Sequence, residues 1–215
     1  FFHINTKEEV IAGRIEKMSK SKKNVVDPQQ IIQTYGADTA RFFMLSDSPP
    51  NRDMEWSDSG IEGSWRFLNK LWNFVIKLEI ENIDYNLPTN FSKSHKELLA
   101  TLNTTIKEVT KSIDDFHFNI AVASIRSLFN AISSYKILNN DDKSVILHNV
   151  KKLLILINPM VPHIAEALWE KLNEQVLIAN ESWPIADKSF EEKHIVKIPV
   201  QVNGKMRAII EVQKD

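Results

Sequence analysis

Residues 17–23, with the sequence KMSKSKK, combine four lysines with two serines. Lysine ammonium groups and serine hydroxyls are donors that can converge on the oxygens of a phosphate group. The helix start predicted at Asp27-Pro28 comes a few residues later, and the positive end of a helix adds to the attraction for an anion. The loop could therefore bind phosphate, although its spacing alone favours a more ordinary interpretation. A solvated surface loop or a basic localisation signal has the same composition, and both stay open at this point.

Composition limits the other kinds of chemistry. The chain of 215 residues is 43% hydrophobic and 26% charged, as in ordinary globular proteins, and its net charge of −1 makes any cationic surface local. It has no cysteine, which excludes disulfides and thiolate metal sites, and its six histidines are scattered without the spacing of a metal site. No apolar run is long enough to cross a membrane. No P-loop, dinucleotide-binding or nucleophile-elbow motif occurs.

Two short helices are predicted after the lysine-rich loop. Asp27 is a typical N-cap, Pro28 suits the first helical position, and Gly36 is expected to end the helix. Asp38 is predicted to cap the next helix, which contains TARFFMLS.

The rest of the chain to about residue 190 predicts an antiparallel bundle of five helices with short connections, because apolar residues recur every three or four positions. In the first helix we expect Trp65 and Trp72, seven residues apart, to be core residues rather than platforms for RNA bases. The predicted N-terminal signals of the five helices are Asp58 or Ser59, Ser92 or Ser94, Asn119, the NNDD run at 139–142, and Pro162.

Near the end, residues 196–213 alternate apolar and polar side chains around Asn203-Gly204, which predicts a β-hairpin with a type I′ turn. A hairpin alone is marginally stable, so we expect it to open a further domain. The predicted fold is therefore mainly α. The bundle of residues 58–190 is preceded by a small α+β segment, residues 1–57, and followed by the hairpin segment, residues 191–215. Because the chain lacks an initial Met, we expect it to be a piece of a longer protein.

A family resemblance narrows the function. The segment KMSKS matches the signature loop of class I aminoacyl-tRNA synthetases letter for letter, and residues 22–45 resemble the segment after that loop in the Leu/Ile/Val branch. The run SPPNRDMEWSDSGIEGSWRFLNKLW, residues 48–72, resembles leucyl-tRNA synthetases in particular. So do FNIAVA (118–123), INPMVPHIAEALW (157–169) and VQVNGKMRA (200–208). The HIGH-type motif of this family is absent, so we expect a C-terminal piece of such an enzyme.

The resemblance implies roles for the loop. Lys20 would contact the ATP phosphates while the amino acid attacks the α-phosphate, and Lys17 would assist. Met18, Ser19 and Ser21 would complete the ATP-binding loop. The resemblance also implies Mg²⁺ with ATP in the parent enzyme, leucine as its other small substrate, and no activity for this piece alone. We expect the loop to be exposed and mobile without ATP.

The resemblance makes residues 1–57 the end of a catalytic domain, residues 58–190 an anticodon-binding domain, and residues 191–215 the start of a C-terminal domain. The partner would be tRNA(Leu), recognised by shape through phosphates and 2′-hydroxyls. Arg66, Lys70 and Lys77 lie at helical spacing on the first long helix and are the candidate tRNA contacts, although an ordinary solvated surface looks the same. The protein is expected to be a cytoplasmic monomer.

Two alternatives remain. A valyl- or isoleucyl-tRNA synthetase shares the loop and the segment after it, but the sequence VQVNGKMRA argues against that interpretation. A non-catalytic helical RNA-binding or scaffold protein could also carry a lysine-rich loop.

Overall fold

The computed structural model describes residues 2, 4–9, 11, 16–78, 86–172, 174–190, 195–202 and 205–213, the last two ranges as backbone only. Helices dominate it, in agreement with the predicted fold class. Their bounds are α1 Pro28–Tyr35, α2 Ala37–Asp47, α3 Asp58–Ile76, α4 Lys93–Asp114, α5 Phe118–Ser134, α6 Asn140–Ile157 and α7 Pro162–Lys171.

The core of the bundle forms where α4, α5 and α6 pack against one another, with α3 and α7 covering it. It extends into the segment before the bundle, because Phe42 of α2 is completely buried. The Phe42 ring stacks on Phe67 at 5.2 Å between centroids, and Phe67 meets Phe129 edge to face at 5.6 Å. The packed core therefore crosses residue 57, where the sequence suggested a boundary.

Helix α1 begins and ends as its sequence predicts. The Asp27 carboxylate accepts a hydrogen bond of 2.9 Å from the Gln29 amide, Pro28 occupies the first turn, and Gly36 comes next after the helix with a φ of 85°. Such a φ suits glycine because it has no Cβ to clash with the carbonyl oxygen. Helix α1 thus has a fixed start directly after the lysine-rich loop.

Ser92 and Asn139 form capping boxes at the starts of α4 and α6, where N-terminal signals were predicted. Two other predicted caps within the bundle are wrong. Ser57, rather than Asp58 or Ser59, accepts from the Gly60 amide at the start of α3. At α5 the chain turns through Phe116, with a φ of 59°, so His117 takes the N-cap position and Asn119 lies inside the helix.

Beyond the bundle, β1 Ile195–Val202 pairs antiparallel with β2 Lys205–Gln213, with Ile198 opposite Ile210 and an irregularity between Val200 and Gln201. The predicted turn at Asn203-Gly204 lies outside the described residues. The assignment of these strands to a further domain stays a prediction. Among the helices that the structure describes, each is too short or too polar to cross a membrane.

Candidate phosphate loop and nucleic-acid interface

The lysine-rich loop has a defined backbone between its charges. Residues Lys20–Lys22 form one 3₁₀ turn, and the Ser19 hydroxyl caps it by accepting from the Lys22 amide at 3.3 Å. Asn24 closes the loop: its Oδ1 accepts from the Ser19 amide at 2.8 Å, and its Nδ2 donates to the Lys17 carbonyl at 3.4 Å. The sequence reasoning missed Asn24, although an asparagine just after a turn is a known signal for such side-chain bonds.

The charges of the loop face solvent. Lys17, Lys20, Ser21, Lys22 and Lys23 are all exposed, and Met18 is 40% exposed. Lys22 pairs with Glu16 at 2.7 Å, whereas the structure records no ion pair for Lys17, Lys20 or Lys23 within its described ranges. The expected exposure is thus observed, and the expected mobility stays a prediction. A loop with three unneutralised ammonium groups can take up the oxygens of a polyphosphate.

Two of the three candidate RNA contacts lie on α3, and the third, Lys77, is the C-cap residue that continues the same face. At about 100° per residue, Arg66, Lys70 and Lys77 fall within about 40° of one another around the helix axis. All three are exposed. Arg66 pairs with Glu62 at 3.2 Å, and the Lys70 ammonium lies 5.4 Å from the centre of the Phe129 ring. The structure thus brings the predicted cations together on one surface.

Trp65 is not a core residue, contrary to prediction. It is 43% exposed, whereas Trp72 is half-buried and packs against the core. Together with Tyr35 of α1 and Ile164 of α7, the two tryptophans line a cavity of about 250 Å³. Trp65 thus faces this surface cavity and is not among the side chains that pack against the core.

Asp38 joins the segment after the loop to the bundle. It is not the cap of α2, because Gly36 holds that position. Its buried carboxylate accepts instead from the Ile164 amide at 2.8 Å, in the first turn of α7, and lies 3.0 Å from His163 Nδ1. Arg41 also donates to it, at 2.8 Å. Asp38 therefore caps a helix 126 positions away, a role that no local sequence signal reveals.

Metal ligands were not expected on this chain. Within the described ranges the structure contains no group of three His, Asp or Glu side chains that could hold a metal ion. The described residues thus form no metal site made of protein ligands alone.

Comparison with known proteins decides the family. The protein-family model described as class I tRNA synthetases (I, L, M and V) matches residues 2–57. The model described as the anticodon-binding domain of tRNA ligase matches residues 95–215, more than half of the chain. The chain belongs to the tRNA ligase anticodon-binding domain family. The lysine-rich loop and the bundle core thus lie in regions that match tRNA synthetase models.

Relatives named leucine–tRNA ligase confirm the predicted resemblance to leucyl-tRNA synthetases. The one from Paramagnetospirillum magneticum is 44% identical over 99% of this chain, and the one from Rickettsia bellii is 46% identical over 96%. The crystal structure of the Agrobacterium radiobacter K84 agnB2 LeuRS in a ternary complex with tRNA and LeuAMS superposes with a TM-score of 0.75 and 28% identity. It matches 92% of this chain and 25% of that one. The chain spans about a quarter of the length of the curated relatives.

Proposed function

We propose that the chain is the part of a leucine–tRNA ligase that carries the ATP-phosphate loop and the tRNA-binding bundle. The observation that carries this proposal is the intact KMSKS loop with Lys17 and Lys20 exposed and without an ion pair in the described structure, next to a bundle of the tRNA ligase family. The parent enzyme joins leucine to tRNA(Leu) through leucyl-adenylate and consumes ATP. It acts as a cytoplasmic monomer.

Lys20 stabilises the charge that develops on the α-phosphoryl group and on the departing pyrophosphate, and Lys17 assists. Ser19 and Ser21 hold the turn, since their hydroxyls lie 3.2 Å apart and Ser19 also caps the turn. Met18 completes the ATP-binding loop. Because Asn24 fixes the loop at its two ends, closing over ATP requires little ordering of the backbone between them.

Residues 1–57 form the end of the catalytic domain, residues 58–190 the tRNA-binding bundle, and residues 191–215 the start of a C-terminal domain. ATP, its Mg²⁺ and leucine bind largely outside this chain, because the chain lacks the HIGH-type motif. The chain alone is therefore inactive in leucine activation.

The cationic face of α3, defined as Arg66, Lys70 and Lys77, contacts the tRNA backbone. Three exposed cations on one helix face suit shape recognition of RNA, which uses phosphates and 2′-hydroxyls rather than bases. The salt bridge of Arg66 to Glu62 is exposed, so a phosphate can replace the carboxylate at small cost.

The amino acid specificity is tested with the full-length ligase that contains this chain. Charging of bulk tRNA is measured separately with leucine, isoleucine and valine. We expect only leucine to be transferred at an appreciable rate. Preferred charging with valine or isoleucine would assign the protein to another member of this branch.

The binding role is tested with the 215-residue chain itself. Its affinity for tRNA(Leu) is measured at increasing salt, alongside a variant in which Arg66, Lys70 and Lys77 are all replaced by Gln. The wild type should weaken steadily with salt, and the variant should bind more weakly with a salt slope smaller by about 2 to 3. A chain without affinity for tRNA at low salt would instead be a scaffold.

A further inference from the structure

One surface pocket collects polar atoms that have no partner. Five buried side-chain atoms in the described part of the chain lack a hydrogen bond, and three of them belong to residues that line the same pocket: Ser64 Oγ, Asn119 Oδ1 and Arg126 Nε. The pocket has a volume of about 380 Å³ and lies between α2, α3 and α5. Buried polar groups are ordinarily paired, so these three atoms offer unused donors and an acceptor to a group bound in the pocket.

Ser64 departs from the usual behaviour of a serine or threonine inside a helix. A serine or threonine inside a helix commonly donates to the carbonyl four residues earlier. Thr101, Thr105 and Thr110 of α4 do so at 2.7 to 2.9 Å. Ser64 is only 1% exposed, yet its hydroxyl makes no such bond and lines the pocket.

Arg126 supplies a fixed positive charge. Its guanidinium carbon lies 4.9 Å from the centre of the Phe67 ring and 5.2 Å from that of Phe42. Within the described ranges no carboxylate forms an ion pair with it. An arginine held close to two rings, with no carboxylate paired to it in the described structure, is ready to donate to a phosphate oxygen.

The glycines of α3 add independent evidence. Gly60 is required by packing, because a Cβ there would lie 2.6 Å from the Phe43 ring. Gly63 has no such reason: a Cβ there would meet only Arg66 Nη2, at 4.0 Å. Glycine inside a helix destabilises it, and it commonly marks a place where a ligand approaches the backbone closely. Gly63 also lines the pocket, and it places the pocket beside the cationic face of α3.

The lining suits a ribose phosphate better than a simple anion. Besides the cation, the pocket contains two acceptors, Asn119 Oδ1 and the carboxylate of Asp47. Asp47 would repel a free phosphate, but an acceptor is what a ribose 2′-hydroxyl needs as a donor. Arg126 and Ser64 can donate to the phosphate attached to the same ribose.

We infer that this pocket binds one ribose-phosphate unit of an RNA backbone, with Arg126 and Ser64 on the phosphate and Asn119 and Asp47 on the 2′-hydroxyl. The inference rests on the proposed tRNA binding and extends it to a subsite outside the cationic face of α3. The RNA chain rather than a free nucleotide is the occupant, because the pocket borders that face at Gly63 and Arg66.

Two variants of the 215-residue chain test the pocket. Arg126→Met keeps an apolar side chain on the two phenylalanine rings but removes the charge. It should weaken tRNA(Leu) binding about tenfold at low salt and reduce the salt slope by about 0.9. Gly63→Leu should weaken binding at least as much while raising the melting temperature, since it fills the pocket and removes a helix glycine. Lys171→Met, on α7, is the control for loss of one exposed cation and should bind as the wild type.

A competition with AMP separates the two sources of a ribose phosphate. We expect AMP at millimolar concentration to leave tRNA binding unchanged, whereas displacement that Arg126→Met abolishes would support the pocket but assign it to a free nucleotide. Wild-type affinity in either Arg126→Met or Gly63→Leu overturns the inference. If the wild-type chain does not bind tRNA, both the proposed function and the inference about the pocket fail. If the variant lacking Arg66, Lys70 and Lys77 binds weakly but both pocket variants bind like the wild type, only the inference about the pocket fails.

Discussion

The lysine-rich loop and the core of the bundle differ in where their polar groups find partners. In the loop, Ser19 and Asn24 bond within eight residues of chain, and Lys17 and Lys20 have no ion pair among the described residues. In the bundle, the buried Asp142 accepts from His95, Tyr135 and two backbone amides. The unpaired charges of the loop thus lie at the surface, where a ligand can reach them, whereas the buried Asp142 carboxylate has its bonding partners within the bundle.

The largest effect is expected in the loop, on activity alone. In the full-length ligase, Lys20→Ala should lower the rate of leucine-dependent pyrophosphate exchange by a few powers of ten, on the order of 3 to 4 kcal/mol of activation free energy. The melting temperature should not change, since Lys20 is exposed and bonds to no side chain that the structure records. Lys22→Ala is the matched control within the same turn, because Lys22 already pairs with Glu16. Equal losses of exchange rate in Lys20→Ala and Lys22→Ala would contradict a particular role for Lys20.

The opposite result is expected for Asp142→Ala in the bundle. His95 Nδ1 accepts from the Ser92 amide at 3.3 Å, so its Nε2 donates to Asp142 at 2.7 Å, and the variant leaves this donor and Tyr135 without their acceptor. The free energy of unfolding should fall by about 3 kcal/mol, measured by urea denaturation of the isolated chain. Asp141→Ala, one residue earlier and exposed, should change it by only a few tenths. A small loss in both would mean that the buried network contributes little.

A half-buried histidine gives the stability of the bundle a pH dependence. Burial lowers the pKa of His148 to about 4, and the nearby Lys152 and Lys151 act in the same direction. Below its ordinary pKa of 6.5, the unfolded chain therefore binds a proton that the folded chain does not. Stability contributed by neutral His148 is present above pH 6.5 and is lost as the pH falls to about 4, by about 2 to 3 kcal/mol.

The measurement is urea denaturation at about pH 7.5 and about pH 4.5, on either side of the ordinary histidine pKa. His148→Gln should lose less stability between the two than the wild type does, because glutamine does not titrate. His117→Gln is the control, since His117 is exposed. The same pH dependence in the wild type and in His148→Gln would contradict the prediction.

Sequence reasoning succeeded where a structure depends on neighbouring residues. Asp27, Pro28 and Gly36 delimit α1 as predicted, and apolar spacing identified Leu68 and Leu71 as buried. It failed where the partner lies far along the chain. Trp65 has the spacing of a core residue, but its exposure depends on which helix packs beside it.

The pocket at Arg126 could not be predicted from the sequence either, because its residues lie far apart along the chain. The lysine-rich loop and the cationic face of α3 could be predicted because their residues are contiguous or lie on one helix. Ser64, Asn119 and Arg126 come from two helices that only the folded chain brings together around one pocket. No periodicity in the sequence marks such a set, since each residue is ordinary on its own helix.

Asp38 lies where the two compared regions meet, and its predicted effect is the smallest. Asp38→Ala removes the acceptor for the Ile164 amide at the start of α7 and the partner of Arg41, and should lower the free energy of unfolding by about 1 to 2 kcal/mol. Asp38→Asn is the matched control, because it keeps an oxygen for the amide and should lose about half as much.

If Asp38 also positions the loop on the bundle, Asp38→Ala in the full-length ligase should slow transfer of leucine to tRNA more than pyrophosphate exchange. The reason is that only transfer requires the loop segment and the tRNA-bound bundle to keep a fixed arrangement. Equal slowing of both reactions would limit Asp38 to stabilising the fold.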